Sequence, residues 1–127
     1  MARNQSRGGG RKYPRSARVG ETLREIIAED LVRFDDERLA FVTVTGIDVD
    51  PELNRAIVYF DSLAGEEGDE EIIEALAEYR IRLQSSVARQ IRAKKTPILE
   101  FKPDMAIRSA ERIDDILRAD RERHGQA

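Results

Sequence analysis

Only three stretches of this chain alternate apolar and polar side chains with the period of two that a half-buried strand requires, and that scarcity constrains the fold most. They are "AFVTVTGIDVD" at residues 40–50, "RAIVYFDS" at residues 55–62 and "ILEF" at residues 98–101. A three-stranded sheet is too small to be stable without other elements covering it. The cover must come from the rest of the sequence, where the apolar period lengthens to that of a helix. Val19, Leu23, Ile26, Ile27, Leu31 and Phe34 form one stripe, and Ile72, Leu76, Tyr79, Leu83, Val87 and Ile91 form a second that ends before Pro97. The order helix, strand, strand, helix, strand predicts an α/β two-layer sandwich, with helices packed on one sheet face and the other face open or lightly covered.

Within the first strand the alternation changes phase. Val42 and Val44 share one face and Ile47 and Val49 the other, with Gly46 at the change, so a bulge there would turn all four inward. The turn residues "DPELN" then join it to the second strand as an antiparallel pair, in which Ala56, Val58 and Phe60 share a face. The second stripe fits either one long helix or two helices meeting at a bend. Ser16, Asp69 and Ser109 are the expected helix caps. Ile107, Ile113, Ile116 and Leu117 predict a short last helix, followed by a polar tail over residues 119–127 that should fray.

At 127 residues the chain is one domain in size. Residues 1–14 combine three consecutive glycines with basic and polar residues, reading as a disordered basic arm before a folded domain over residues 15–118. The absence of cysteine excludes disulfides and thiolate metal sites. With no apolar run near the length of a membrane span and no signal-peptide pattern, the expected location is the cytoplasm.

An enzyme finds little to work with here. The one histidine, His124, lies in the polar tail, and no Ser/His/Asp set, Walker lysine or dinucleotide fingerprint is present. Asp48, Asp50 and Asp61 are the only candidates for a divalent cation, and solvated carboxylates are the simpler reading. The reading is therefore non-enzymatic, with no cofactor and no metal. The string "GEEG" at Gly65–Gly68 has the glycine spacing of a nucleic-acid clamp, yet Glu66, Glu67, Asp69, Glu70 and Glu71 would repel phosphates. It is read as a turn.

Charge is where the sequence speaks to function. The net charge of −3 hides two acid-free windows: residues 1–20 with six cations, and residues 79–99 with six more. Together they hold 12 of the 22 basic residues and none of the 25 acidic ones. Such clustering marks a polyanion-binding surface. Arginine at Arg82, Arg89 and Arg92 suits bidentate phosphate contacts, whereas Lys94 and Lys95 supply less directional charge. Arg11 and Lys12 in the arm, with Arg15 and Arg18 at the first helix, complete the candidate set. Tyr13 is the best stacking candidate among the aromatics, since Tyr79 and Phe101 fit core patterns. The rival reading is a protein-interaction module in which the acidic loop and open sheet face bind a partner and the arginines only balance charge.

Three separated pieces, "RSARVGETLREIIAEDL", "VTVTGIDVDPELNRAIVYF" and "TPILEFKPD", resemble the bacterial ribosome-binding factor A family in order and spacing from about Arg15 to Leu117. The resemblance implies a type II K-homology-like fold of order α-β-β-α-α-β plus a short C-terminal helix. It implies a monomeric, cytoplasmic RNA-binding assembly factor that binds 16S rRNA precursor in immature 30S subunits, assists maturation and 5′-end processing, and is associated with cold adaptation. The family's RNA-facing positions correspond here to Arg15, Arg18, Arg82, Arg89, Arg92, Lys94 and Lys95. The family's alanine-any-glycine bend corresponds to Tyr79, Arg80 and Ile81, and Gln84 stands where an arginine is common. With no glycine there, the bend is expected to be shallow or to move to Ser85 and Ser86.

Overall fold

The computed structural model describes residues 15–91 and 95–125. The first apolar stripe becomes α1, Arg15–Phe34, and buries Leu23, Ile26, Ile27 and Leu31, because positions three and four apart share one helical face. Ser16 is the second residue of this helix and not its cap. The helix stops where Asp35 turns into the left-handed region at φ 51°, with its N–H on the Val32 carbonyl at 3.2 Å.

β1, Val42–Val49, and β2, Arg55–Ser62, pair antiparallel. The register runs from Val44 opposite Phe60 to Gly46 opposite Tyr59, which leaves Thr45 as the extra residue of a bulge. As the phase change predicts, Val42, Val44, Ile47 and Val49 all pack against the core. The displaced Thr45 donates its hydroxyl to Asp104 Oδ2 at 2.5 Å. In the turn between these strands Asp50 accepts from the N–H groups of Asn54 and Arg55 at 2.6 and 3.0 Å. Leu53 there takes φ 62° with its side chain buried, a strained backbone held by an apolar anchor.

After a short 3₁₀ turn at Gly65–Gly68 come α2, Asp69–Glu78, and α3, Arg80–Gln90. Gly68 precedes α2 with no side-chain cap, and Asp69 is already helical. The chain breaks at Tyr79, where φ is −92° and ψ is 1°, while Ser85 and Ser86 lie inside α3. The expectation of a bend at those serines is thereby overturned. Tyr79 holds the break with its side chain in place of glycine: its ring stacks on Phe34 at 4.2 Å and 7°, and its hydroxyl donates to Asp36 Oδ2 at 2.9 Å. The ladder continues on either side, Tyr79 N–H to Ala75 and Leu83 N–H to Tyr79.

These two helices carry the chain back across the sheet, so β3, Ile98–Pro103, joins β2 in parallel, with Ala56 opposite Leu99 and Val58 opposite Phe101. The sheet is mixed, in the order β1-β2-β3. Leu23 and Ile27 of α1, Leu76 of α2, Leu83 and Val87 of α3, and Val58, Phe60 and Leu99 of the sheet close into one core. Each fully buried side chain of this kind stabilises by about 1.5–3 kcal/mol. Ile57 and Tyr59 remain half-buried on the other sheet face.

The last helix departs from expectation. α4 runs from Met105 to Gly125, 21 residues, through the segment expected to fray. Its cap is Asp104, which accepts from Ile107 N–H at 3.1 Å, and Ser109 is exposed in its interior. Apolar periodicity ends at Leu117, but charge takes over: Arg118 pairs with Asp115 and Arg123 with Asp120 at i,i+3. Arg108 anchors its base, with Nε on Asp61 at 2.9 Å and Nη1 on Asp69 at 2.6 Å.

Candidate nucleic-acid interface

Of the nine predicted cations, Arg15, Arg18, Arg82, Arg89 and Lys95 fall among the described residues. Arg11, Lys12, Arg92 and Lys94 lie outside them, as do Tyr13 and the expected arm. All five described cations are exposed.

α1 and α3 pack side by side, and their contacts fix the direction. Phe34 at the end of α1 meets Tyr79 just before α3, while Asp30, one turn back, shares a cleft with Ser85 and Arg89 further along α3. The helices therefore run antiparallel, and the start of α1 lies toward the end of α3. Arg89 shares its cleft with Asp30, so Arg18 stands about 18 Å further along α1 at 1.5 Å per residue, beyond the end of α3. Arg15 and Arg33 stand eighteen residues apart, five helical turns, so Arg33 projects from the same face as Arg15.

Among the described residues neither Arg82 nor Arg89 is within ion-pair distance of a carboxylate. Arg89 donates to Ser85 Oγ at 3.0 Å, and the Arg82 guanidinium lies over the Phe34 ring at 4.8 Å and near that of Tyr79 at 5.5 Å. The aromatic pair thus holds a cation in place without neutralising it. Lys95 donates to the neutral side chain of Asn54 at 2.8 Å, and its charge also stays free.

The cleft between α1 and α3 has a volume of about 340 Å³ and is lined by Asp30, Arg33, Phe34, Arg82, Ser85 and Arg89. Asp30 is the residue the charge map overlooks. It falls on the apolar stripe of α1, between Ile27 and Phe34, and a carboxylate at a buried periodic position was the available signal. Its Oδ1 accepts from Arg33 at 3.3 Å, and its buried Oδ2 has no partner among the described residues.

Where Gln84 replaces the arginine common in the resembling family, its amide donates to the Pro97 carbonyl at 2.6 Å and accepts from Leu99 N–H at 3.2 Å. It ties α3 to β3 in place of offering a charge. The bend beside it is fixed by Arg38, which bonds both oxygens of Asp36 and both of Glu78. The Arg38 side-chain bonds hold Asp36 well below the usual carboxylate range and also lower Glu78. Tyr79 is raised, first by its bond to Asp36.

The other candidates are committed elsewhere. Asp61 pairs with Arg108, Asp50 closes its turn, and among the described residues no three metal-ligating side chains converge. In "GEEG", Gly65 takes φ 64° and a Cβ on Gly68 would come within 2.7 Å of Ala64 Cβ, so both glycines serve the turn. A larger groove, about 820 Å³, runs between α4 and the start of β1, but its charged lining is four acids, Asp61, Glu111, Asp114 and Asp115, against Arg118, which disfavours a polyanion. Among the described residues no helix is long and apolar enough to cross a membrane.

Residues 15–117 match the family description "Ribosome-binding factor A". A ribosome-binding factor A from Azoarcus sp. (strain BH72) is 36% identical over 120 residues, covering 90% of this chain and 94% of the relative. The crystal structure of ribosome-binding factor A from Thermus thermophilus superposes with a TM-score of 0.62 at 30% identity, covering 69% of this chain and 94% of that one. A homology model of the Thermus thermophilus protein, fitted into a cryo-EM map of a 30S–RbfA complex, gives 0.57 at 30% identity, covering 68% and 92%. With the helix and strand order, the bulged hairpin and the helix break already established, the chain belongs to the ribosome-binding factor A family.

Proposed function

We propose that this protein is an RNA-binding assembly factor of the small ribosomal subunit, acting by occupancy and not by catalysis. The supporting observation is the α1–α3 face, on which Arg82 and Arg89 stand exposed without carboxylate partners, with Arg15 and Arg18 exposed at the far end of α1. Such a surface grips an RNA backbone through charge and shape, with arginine favoured for phosphate. The acidic turn at Gly65–Gly68 and the acidic groove beside α4 disfavour the reverse orientation. The Thermus thermophilus relative placed in a 30S complex makes the small subunit the partner of choice. On this reading the protein binds 16S rRNA precursor in immature 30S particles as a monomer in the cytoplasm. It holds one RNA arrangement, assists maturation and 5′-end processing, and departs when that surface changes. The predicted cations outside the described residues, Arg11, Lys12, Arg92 and Lys94, would extend the same contact.

Sedimentation of the tagged protein with immature and mature small subunits, with and without nuclease, tests the proposal. Binding to immature particles that disappears on RNA digestion is the expected result. Association that persists after digestion would replace it with the protein-interaction reading.

A further inference from the structure

We infer that the cleft between α1 and α3 reads one unpaired base, and that the base is guanine. The inference rests on the RNA-binding reading and adds a base preference to it. Asp30 carries the argument. Its side chain is 6% exposed, its Oδ1 has a single bond from Arg33, and its Oδ2 has no partner among the described residues. A buried polar atom without a partner is uncommon, and an ionised carboxylate can only accept, so what this site lacks is a donor.

The cleft volume of about 340 Å³ accommodates a nucleobase. Beside it the Arg82 guanidinium lies over Phe34 at 4.8 Å, and an arginine plane is a group on which unstacked bases stack. Oδ2 is closed to water in the free protein, so a base reaches it only when side chains at the rim move. Arg33, whose side chain is 70% exposed and whose 3.3 Å bond occupies Oδ1, must swing aside as well for Oδ1 to accept from the base.

Among the four bases, guanine alone presents two adjacent donors, N1–H and N2–H, matching the two oxygens of a carboxylate. Adenine and cytosine set a ring-nitrogen lone pair beside their amino group, and that lone pair would face the negative charge. Uracil offers one N–H between two carbonyls. Guanine O6, next to N1–H, then needs a donor of its own. Ser85 Oγ, which accepts from Arg89 at 3.0 Å, keeps its proton free to supply one.

The test is fluorescence anisotropy with labelled oligouridine strands carrying one central guanosine, inosine, adenosine or cytidine. The guanosine strand should bind ~5- to 150-fold more tightly than the adenosine strand, the range of a good bidentate base contact. Inosine, which lacks the N2 amine, should fall between them. Asp30→Asn should erase the preference while plain oligouridine binds at least as tightly as to the parent, because the substitution frees Arg33 from its carboxylate partner, with a melting curve to verify the fold. Equal binding of the guanosine, inosine and adenosine strands by the parent protein would overturn the subsite and leave the RNA-binding face standing. A guanosine preference that survives in Asp30→Asn would also overturn it. Failure of the parent to bind any strand in a salt-dependent way would remove the RNA reading itself.

Discussion

Replacing Arg82 and Arg89 together by glutamine should remove two phosphate contacts and be visible as a change in salt dependence. Among the described residues five predicted cations have no carboxylate partner, Arg15, Arg18, Arg82 and Arg89 on α1 and α3 and Lys95 beyond the end of α3. If each neutralises one phosphate at ~0.7–0.9 per contact, the slope of log affinity against log salt is about −3.5 to −4.5. A fourfold rise in salt then weakens binding by ~100- to 500-fold. In the double variant the slope falls to about −2.1 to −2.7, and the same rise weakens binding only ~20- to 40-fold. Titrations of labelled small-subunit RNA at several salt concentrations give both slopes. Thermal melting of the variant checks that loss of the Arg82–Phe34 contact has not disturbed the bend. Equal slopes in parent and variant would refute the assignment of α3 to the interface, whatever happened to the affinity at a single salt concentration.

Arg108→Ala leaves Asp61 and Asp69 close together without their cation in a largely closed site, and should destabilise the protein by about 3–5 kcal/mol in a urea titration. An unchanged midpoint would mean that α4 is not held this way. Gly68→Ala forces a Cβ against Ala64 and should lose ~1–3 kcal/mol, while Gly46→Ala, with open space around it, should be close to neutral. Asp36 and Glu78, lowered by Arg38, and Asp104, lowered first by the Thr45 hydroxyl, bind protons less readily when folded than when unfolded. Stability should therefore be complete above about pH 5 and fall as the pH drops toward ~2. Tyr59, raised first by burial, and Tyr79, raised first by its bond to Asp36, have the opposite sign, so stability should fall again as the pH climbs beyond about 10. Melting temperature against pH should show both limbs, and Arg38→Gln should flatten the acid one.

Element type was legible wherever one physical period dominated. The stripes of α1, α2 and α3 and the inward faces of β1 and β2 follow directly from side-chain spacing, and the bulge was visible as a phase change at Gly46. Features settled by long-range contacts were not legible. Nothing in "ILEF" tells whether it joins β2 in parallel; the crossover through α2 and α3 decides it. The caps went wrong because Asp69 is claimed by Arg108 from 39 residues away, and because Asp104 outcompetes Ser109 by lying at the true helix start. The bend stayed at Tyr79 because a stacking partner and a carboxylate acceptor replace the freedom that glycine would supply. α4 outran its apolar pattern because spaced charges sustain a helix that buries little. For the site, charge segregation pointed to Arg82 and Arg89, but their lack of carboxylate partners needed the fold. Asp30 was hidden by a charge count that treated every acid as a surface acid.

The most direct measurement of the central claim is site-specific photocrosslinking to small subunits. A photoreactive residue at Ile81, 82% exposed between Arg80 and Arg82, would report on the α3 face, and one at the exposed Glu70 on the acidic edge of α2. The account predicts 16S rRNA adducts from position 81 and none from position 70. Adducts from position 70 with none from position 81 would contradict it.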